Sequence, residues 1–258
     1  MSANVSLVSR VKLSIGRAWR NWCDRRARTC VLVLGDSHVR VFEHWLFMWY
    51  LPHVRWRIVY VPGGSASGLY NRDSLTQAYK NFEQALTTVK ADYVILNLGE
   101  VDAGHAIWAR AQRSGRPMAA LLDDAVANYT RYIQELAPRC RLIVVSAPLP
   151  TLGDDFQPQD EAARTRRAVT LSQRERTELT LAFNDRVGQA CRAIGVPHLD
   201  DRARSLGQDG LVRRRWVNRD FADHHYHRKV YARWLSRSLR PLLAVDGRQR
   251  IQSWTHRA

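Results

Sequence analysis

The sequence predicts an α/β domain built as a three-layer sandwich, a five-stranded parallel sheet with helices on both faces. Three observations predict it. Short apolar runs such as Val31 to Leu34, Tyr93 to Leu98 and Arg141 to Ala147 have the composition of strands buried on both faces. Segments with helical apolar period separate these runs, and no tight hairpin signal joins any two of them. At 258 residues the chain is also the size of one medium domain, long enough to bury most of the surface its unfolded form exposes.

In chain order, residues 1–29 read as an appendage. Val8, Val11, Ile15, Ala18, Trp19 and Trp22 recur at helical spacing among seven arginines and lysines from Arg10 to Arg28, the pattern of a basic amphipathic helix. Residues 5–28 could lie on an anionic membrane surface, or dock their apolar stripe on the domain. The domain itself spans residues 30–245. Its first strand, Val31 to Leu34, ends at Gly35, and Val39 to Leu51 reads as the first helix. Arg57 to Val61 is the second strand, stopped by Pro62-Gly63-Gly64 and followed by a glycine loop to Gly68 and a helix from Ser74 to Val89. The third strand, Tyr93 to Leu98, runs into Gly99-Glu100-Val101-Asp102, after which residues 103–116 read as a polar loop. Pro117 opens a helix to Leu136, Pro138 closes it, and Arg141 to Ala147 is the fourth strand. Pro148 to Arg167 is long and charged and is expected as a lid or surface excursion. A helix from Ser172 to Ile194 then leads through Gly195 to a short fifth strand, Val196 to Leu199. The last helix is expected over Arg228 to Leu243, and residues 246–258 form a tail. A flavodoxin-like strand order, 2-1-3-4-5, would gather the loops after strands one, two and three around one crevice.

Composition excludes several classes. The net charge of +16 comes mostly from arginines dispersed along the chain, with only Lys12, Lys80, Lys90 and Lys229 as lysines, so specific nucleic-acid binding is not expected; anionic saccharide or lipid groups remain candidate partners. Cys23, Cys30, Cys140 and Cys191 form no C-x-x-C pair and read as ordinary buried thiols, which fits a reducing compartment, though four cysteines could also pair. No run approaches the ~20 apolar residues of a membrane span, and no signal-peptide core is present. A cytoplasmic protein, peripheral to the membrane if residues 5–28 bind it, is therefore expected. Its oligomeric state is open.

Ser37 falls where the first strand hands over to a helix N-terminus, a position where backbone N–H groups and the helix dipole favour negative charge. A hydroxyl there can serve as a nucleophile whose oxyanion is held by its own N–H. Gly35-Asp36-Ser37 at the end of a first strand resembles block I of the SGNH (GDSL-type) hydrolases. That resemblance covers about residues 30–245 and implies a three-layer fold, no cofactor and a serine-dependent ester hydrolase or O-acyltransferase acting on acylated carbohydrate. It matches Gly64 to the block II oxyanion donor. Block III, usually Gly-x-Asn-Asp, is Gly99-Glu-Val-Asp102 here, with Val101 in place of the donor amide and Asn97 as a substitute donor. Block V, Asp-x-x-His before an aromatic, is matched by His225 with Tyr226 and Tyr231, but Ala222 stands where the acid belongs. Asp223, one residue closer, is the expected orienting acid with Asp220 in reserve, and His224 is the reserve base.

Asp36, His38, Glu100, Asp102 and His105 surround the predicted site and are the candidates for substrate contact. Glu100 and Asp102 would repel an oxyanion when ionised, which favours capping and bracing of their loop. Two other readings stay open. One is a glycan-binding protein without catalysis. The other is a metal-dependent phosphoesterase using Asp36, His38, His225 and His227, although its G-D-x-x-D and G-N-H-[DE] motifs are missing; for the serine reading no metal is expected.

Overall fold

Val31 to Leu34 are fully shielded from solvent at the centre of a parallel sheet whose order is β2-β1-β3-β4-β5. The computed structural model describes residues 27–71, 73–155, 171–220 and 223–243. The strands are β1 (Thr29–Gly35), β2 (Val54–Tyr60), β3 (Tyr93–Asn97), β4 (Leu142–Val145) and β5 (His198–Leu199), and every neighbouring pair is parallel. The period of two along a strand divides β1 between two cores. Leu32 and Leu34 face one, with Phe82, Ile133 and Phe183; Val31 and Val33 face the other, with Phe47, Trp216 and Leu235. The first core is covered by α2 (Ala78–Thr88), α3 (Ile107–Ser114), α4 (Met118–Leu136) and α5 (Gln173–Ile194). The second is covered by α1 (Trp45–Tyr50) and α7 (Arg228–Leu239), α6 being the single turn Arg202–Ser205.

Several boundaries differ from the sequence reading, each for a local reason. The expected helix over Val39 to Leu51 is broken: Ser37–Glu43 is a 3-10 helix, His44 is extended (φ −70°, ψ 137°), and its Nδ1 accepts from the Leu46 N–H to cap α1. β2 starts at Val54, three residues before Arg57, because it is an edge strand whose Arg55 and Arg57 alternate with Trp56 and Ile58 and interrupt the apolar run. α2 begins at Ala78, since Gln77 sits in the left-handed region (φ 49°, ψ 35°). The polar segment 103–116 is not a loop: Asp102–Ala106 is a π-turn continuing into α3, which buries Ile107 and Trp108. The ladder of β4 ends at Val145, beyond which the Asn184 amide pairs both ways with the Ala147 backbone, at 2.8 and 2.9 Å.

Residues 148–152, expected to belong to a surface excursion, are core instead. Leu149 and Leu152 are buried, and the Leu149 N–H donates to Tyr226 Oη at 2.7 Å. The rest of that predicted lid, from 156 on, lies outside the described residues, as do most of the basic N-terminal segment, Cys23, Ala222 and the tail. α7 ends at Leu239, earlier than Leu243. No helix among the described residues is long and apolar enough to cross a membrane.

Gly35 sits where the sheet leaves no room for a side chain. A Cβ there would run into the Asn97 carbonyl oxygen and a Val39 methyl, so only glycine lets β1 turn into the Ser37 helix beside β3. Gly35→Ala should lower stability by about 3 kcal/mol, the upper end for overpacking, read as a drop in the urea midpoint. An unchanged midpoint would mean that the β1 exit relaxes freely.

Candidate active site

The β1 exit positions Ser37 through Asp36. The Asp36 carboxylate is buried and caps the 3-10 helix, accepting from the His38 N–H at 2.8 Å and pairing with His38 Nδ1 at 3.0 Å. Ser37 is thereby fixed at the first position of that helix, where its own N–H has no acceptor among the described residues.

His225 arrives from the far end of the chain. It precedes Tyr226, whose ring is buried and packed edge-on against Trp216 at 5.0 Å, and it follows His224, whose carbonyl accepts from Thr151 Oγ1 at 2.8 Å. Between these anchors the imidazole turns toward β1, with Nε2 2.9 Å from Ser37 Oγ. Asp223 Oδ1 accepts from the His225 backbone N–H at 2.9 Å and lies 2.5 Å from His225 Nδ1. Because the carboxylate takes the backbone and the ring of a residue only two positions on, the missing residue of block V does not put the acid out of reach. With the proton on Nδ1, Nε2 is left as the acceptor for the serine O–H.

Asn218, which the sequence reading did not single out, donates from Nδ2 to Asp223 Oδ2 at 2.7 Å. Burial opposes ionisation of Asp223, but the hydrogen bonds from the His225 side chain and backbone, with the His225 and His224 charges, outweigh it and hold its pKa at about 2. Asp223, rather than Asp220, is therefore the acid bonded to His225. His224, the reserve base, lies beside His225 with ring centroids 4.1 Å apart and the rings tilted by 37°.

A hollow of about 160 Å³ opens over this chain of hydrogen bonds, and Ser37, His38, Arg40, Asn218, His225 and Arg228 are among its walls. Of the five residues predicted to contact substrate, only His38 lines it. Asp36, Glu100 and Asp102 are buried, and His105 lies in the π-turn. Asp102 braces the glycine loop by accepting from the Ala66 and Ser67 N–H groups at 2.6 and 2.9 Å. Burial raises its pKa, and the nearby Asp36 adds to the rise against the pull of those bonds and the Ser67 hydroxyl.

Two expected oxyanion donors are engaged elsewhere. The Asn97 amide donates to the Val145 and Ser146 carbonyls at 3.1 and 2.9 Å, tying β3 to the end of β4. The Gly64 N–H closes a turn onto the Val61 carbonyl at 2.9 Å. Val101 lies in the first turn of the helix after β3 and does not line the hollow. Among the described residues, His38, His224 and His225, and separately Asp36, His38 and Glu100, bring potential metal-ligand atoms within 4.8 Å of one another. His227 belongs to neither group, so the four-residue set proposed for a phosphoesterase is not assembled.

Behind the site, Asp201 is fully buried and accepts from Ser205 Oγ at 2.9 Å. Burial, with Asp200 alongside, pushes its pKa up to about 7 against the hydrogen bonds from Ser205 and Tyr226 and the charge of Arg202. A carboxyl whose folded pKa is raised binds its proton more tightly folded than unfolded, so its contribution is complete below about pH 4 and is lost as pH rises toward about 7. Thermal melts across that window should therefore show a fall in stability that is flattened in Asp201→Asn. Parallel profiles would place the titration in another group.

No protein-family model matches the sequence, and no curated protein does. Solved structures do. A GDSL-like lipase from Bacteroides thetaiotaomicron VPI-5482 is 12% identical, with a TM-score of 0.55 over 88% of this chain and 98% of its own. The inhibitor-bound aryl esterase of M. smegmatis is 14% identical, with a TM-score of 0.55 over 83% of this chain and 100% of its own. The chain thus has the fold of the GDSL-type hydrolases.

Proposed function

We propose that this chain is a divergent SGNH-type serine hydrolase that cleaves or transfers a short acyl group carried as an ester, with an acylated carbohydrate as the substrate. The observation that carries the reading is the 2.9 Å separation of Ser37 Oγ and His225 Nε2, with Asp223 on the opposite ring nitrogen. A serine, an imidazole and a carboxylate linked in that order suit acyl transfer.

Ser37 Oγ attacks the ester carbonyl while His225 Nε2 takes its proton, and Asp223 stabilises the imidazolium that results. The Ser37 N–H receives the developing oxyanion, with Gly64 and Asn97 occupied elsewhere. The tetrahedral intermediate collapses to an acyl-serine as His225 returns the proton to the leaving alcohol. Water, or a sugar hydroxyl, then reverses the steps. A hollow of about 160 Å³ suits an acetyl-sized group better than a long lipid chain, and its polar rim of Arg40, Asn218 and Arg228 suits a hydroxylated leaving group.

A panel of acetylated and longer-chain acylated sugars, followed by mass spectrometry with and without a free sugar acceptor, tests the reading. Loss of acetyl to water identifies a hydrolase, and appearance of an acylated acceptor identifies a transferase. No turnover on any member would favour a glycan-binding protein.

A further inference from the structure

One aromatic layer away from Ser37, a second and larger hollow of about 700 Å³ runs along the outer side of α7. Arg204, Arg215, Lys229, Arg233 and Arg237 line it together with Trp234, and no carboxylate does. Among the described residues none of these five cations makes an ion pair. Lys229, Arg233 and Arg237 recur every four residues, which sets them about 6 Å apart along one face of the helix. Like charges at that spacing repel each other, and a concave wall concentrates their field. Trp234 lies nearly parallel to Tyr231, with ring centroids 6.1 Å apart and an angle of 11°, and edge-on to Trp216 at 6.3 Å.

The two hollows share a wall. Trp216 lines the groove and packs on Tyr226, which lines the Ser37 hollow, while Arg228 faces that hollow and its neighbour Lys229 faces the groove. Arg228 and Lys229 are consecutive in the first turn of α7, so the linings of the two hollows meet there.

We propose that this groove binds an acidic polysaccharide, the carboxylates of its sugar units paired with the α7 cations and a sugar face packed on Trp234. As a statement about substrate, this rests on the esterase reading above; as a statement about binding, it does not. Single-stranded nucleic acid is the competing polyanion, but such strands are held by aromatic side chains in series, and this groove offers one partly exposed indole. A concave site of this size also fits a polymer chain better than the flat surface of a bilayer.

The test is calorimetric titration of the full chain with polygalacturonate oligomers, and with dextran oligomers of equal length, oligothymidylate and phosphatidylglycerol vesicles. Polygalacturonate should bind, weaken with added salt, and weaken at least about tenfold in the double variant Arg233→Glu/Arg237→Glu, equivalent to about 1.4 kcal/mol. Arg113→Glu on α3, away from the groove, should bind as the wild type does. Equal thermal melts would show that the double variant folds; should it not, Trp234→Ala with the same melting temperature as the wild type must weaken binding instead. Absence of polygalacturonate binding, equal binding of dextran, tighter binding of oligothymidylate or of the vesicles, or equal losses in Arg113→Glu would each overturn the proposal. Polymer binding without ester cleavage would instead remove the esterase reading and leave the groove, and cleavage of a small ester without polymer binding would do the reverse.

Discussion

Ser37→Ala and His225→Ala are each expected to lose on the order of 10⁵–10⁶-fold in kcat on an acetyl ester, and the double variant no more than either alone. The reason is that the two side chains perform one event. Without the imidazole at 2.9 Å the serine proton has no acceptor, and without Oγ the imidazole has no nucleophile to activate. What survives in either case is the contribution of binding and of the Ser37 N–H, which the alanine variant keeps. Steady-state kinetics on all three proteins, with melting curves to show that each is folded, checks this. Losses that multiply in the double variant would show that the residues act independently.

Asp223→Asn should cost on the order of 10⁴-fold in kcat with little change in KM, because the asparagine amide can donate where the carboxylate accepts. Its N–H toward His225 Nδ1 would favour the tautomer with the proton on Nε2, the nitrogen that has to accept from Ser37. The pKa of about 2 matters for pH. Asp223 is held below its unfolded value of about 3.9, so its contribution to stability is complete above that value and is lost only as pH falls toward 2. Its titration therefore leaves activity near neutrality untouched, and Asp223→Asn should lower kcat without adding a new limb to the neutral pH profile. A variant with wild-type kcat would mean that Asp223 shapes the loop and does not orient the imidazole.

The buried strands were legible because their signal is local. Val31 to Leu34 and Tyr93 to Leu96 sit between two helical layers and are apolar on both faces, so continuous runs marked them, and the parallel order followed from the helices between. Ser37 and His225 were legible as positions, the end of a first strand and the start of a terminal helix, though 188 residues separate them. What stayed hidden depended on partners. Arg55 and Arg57 disguised the start of an edge strand, and the polar surface of residues 102–114 disguised a π-turn and helix that bury only a few apolar side chains. Gly64 and Asn97 looked like donors by order along the chain; their hydrogen atoms go to Val61, Val145 and Ser146, a matter of three-dimensional geometry. Asn218 carries no motif, and only the fold brings it to Asp223.

The central claim is that Ser37 is a nucleophile made reactive by His225. Intact-mass spectrometry after incubation with a small alkyl fluorophosphonate measures this directly, because the reagent phosphonylates an activated serine and expels fluoride. The account predicts one adduct per chain in the wild type, mapped by peptide fragmentation to Ser37, and none in Ser37→Ala or His225→Ala. An unmodified wild type, or an adduct that persists in Ser37→Ala, would contradict it.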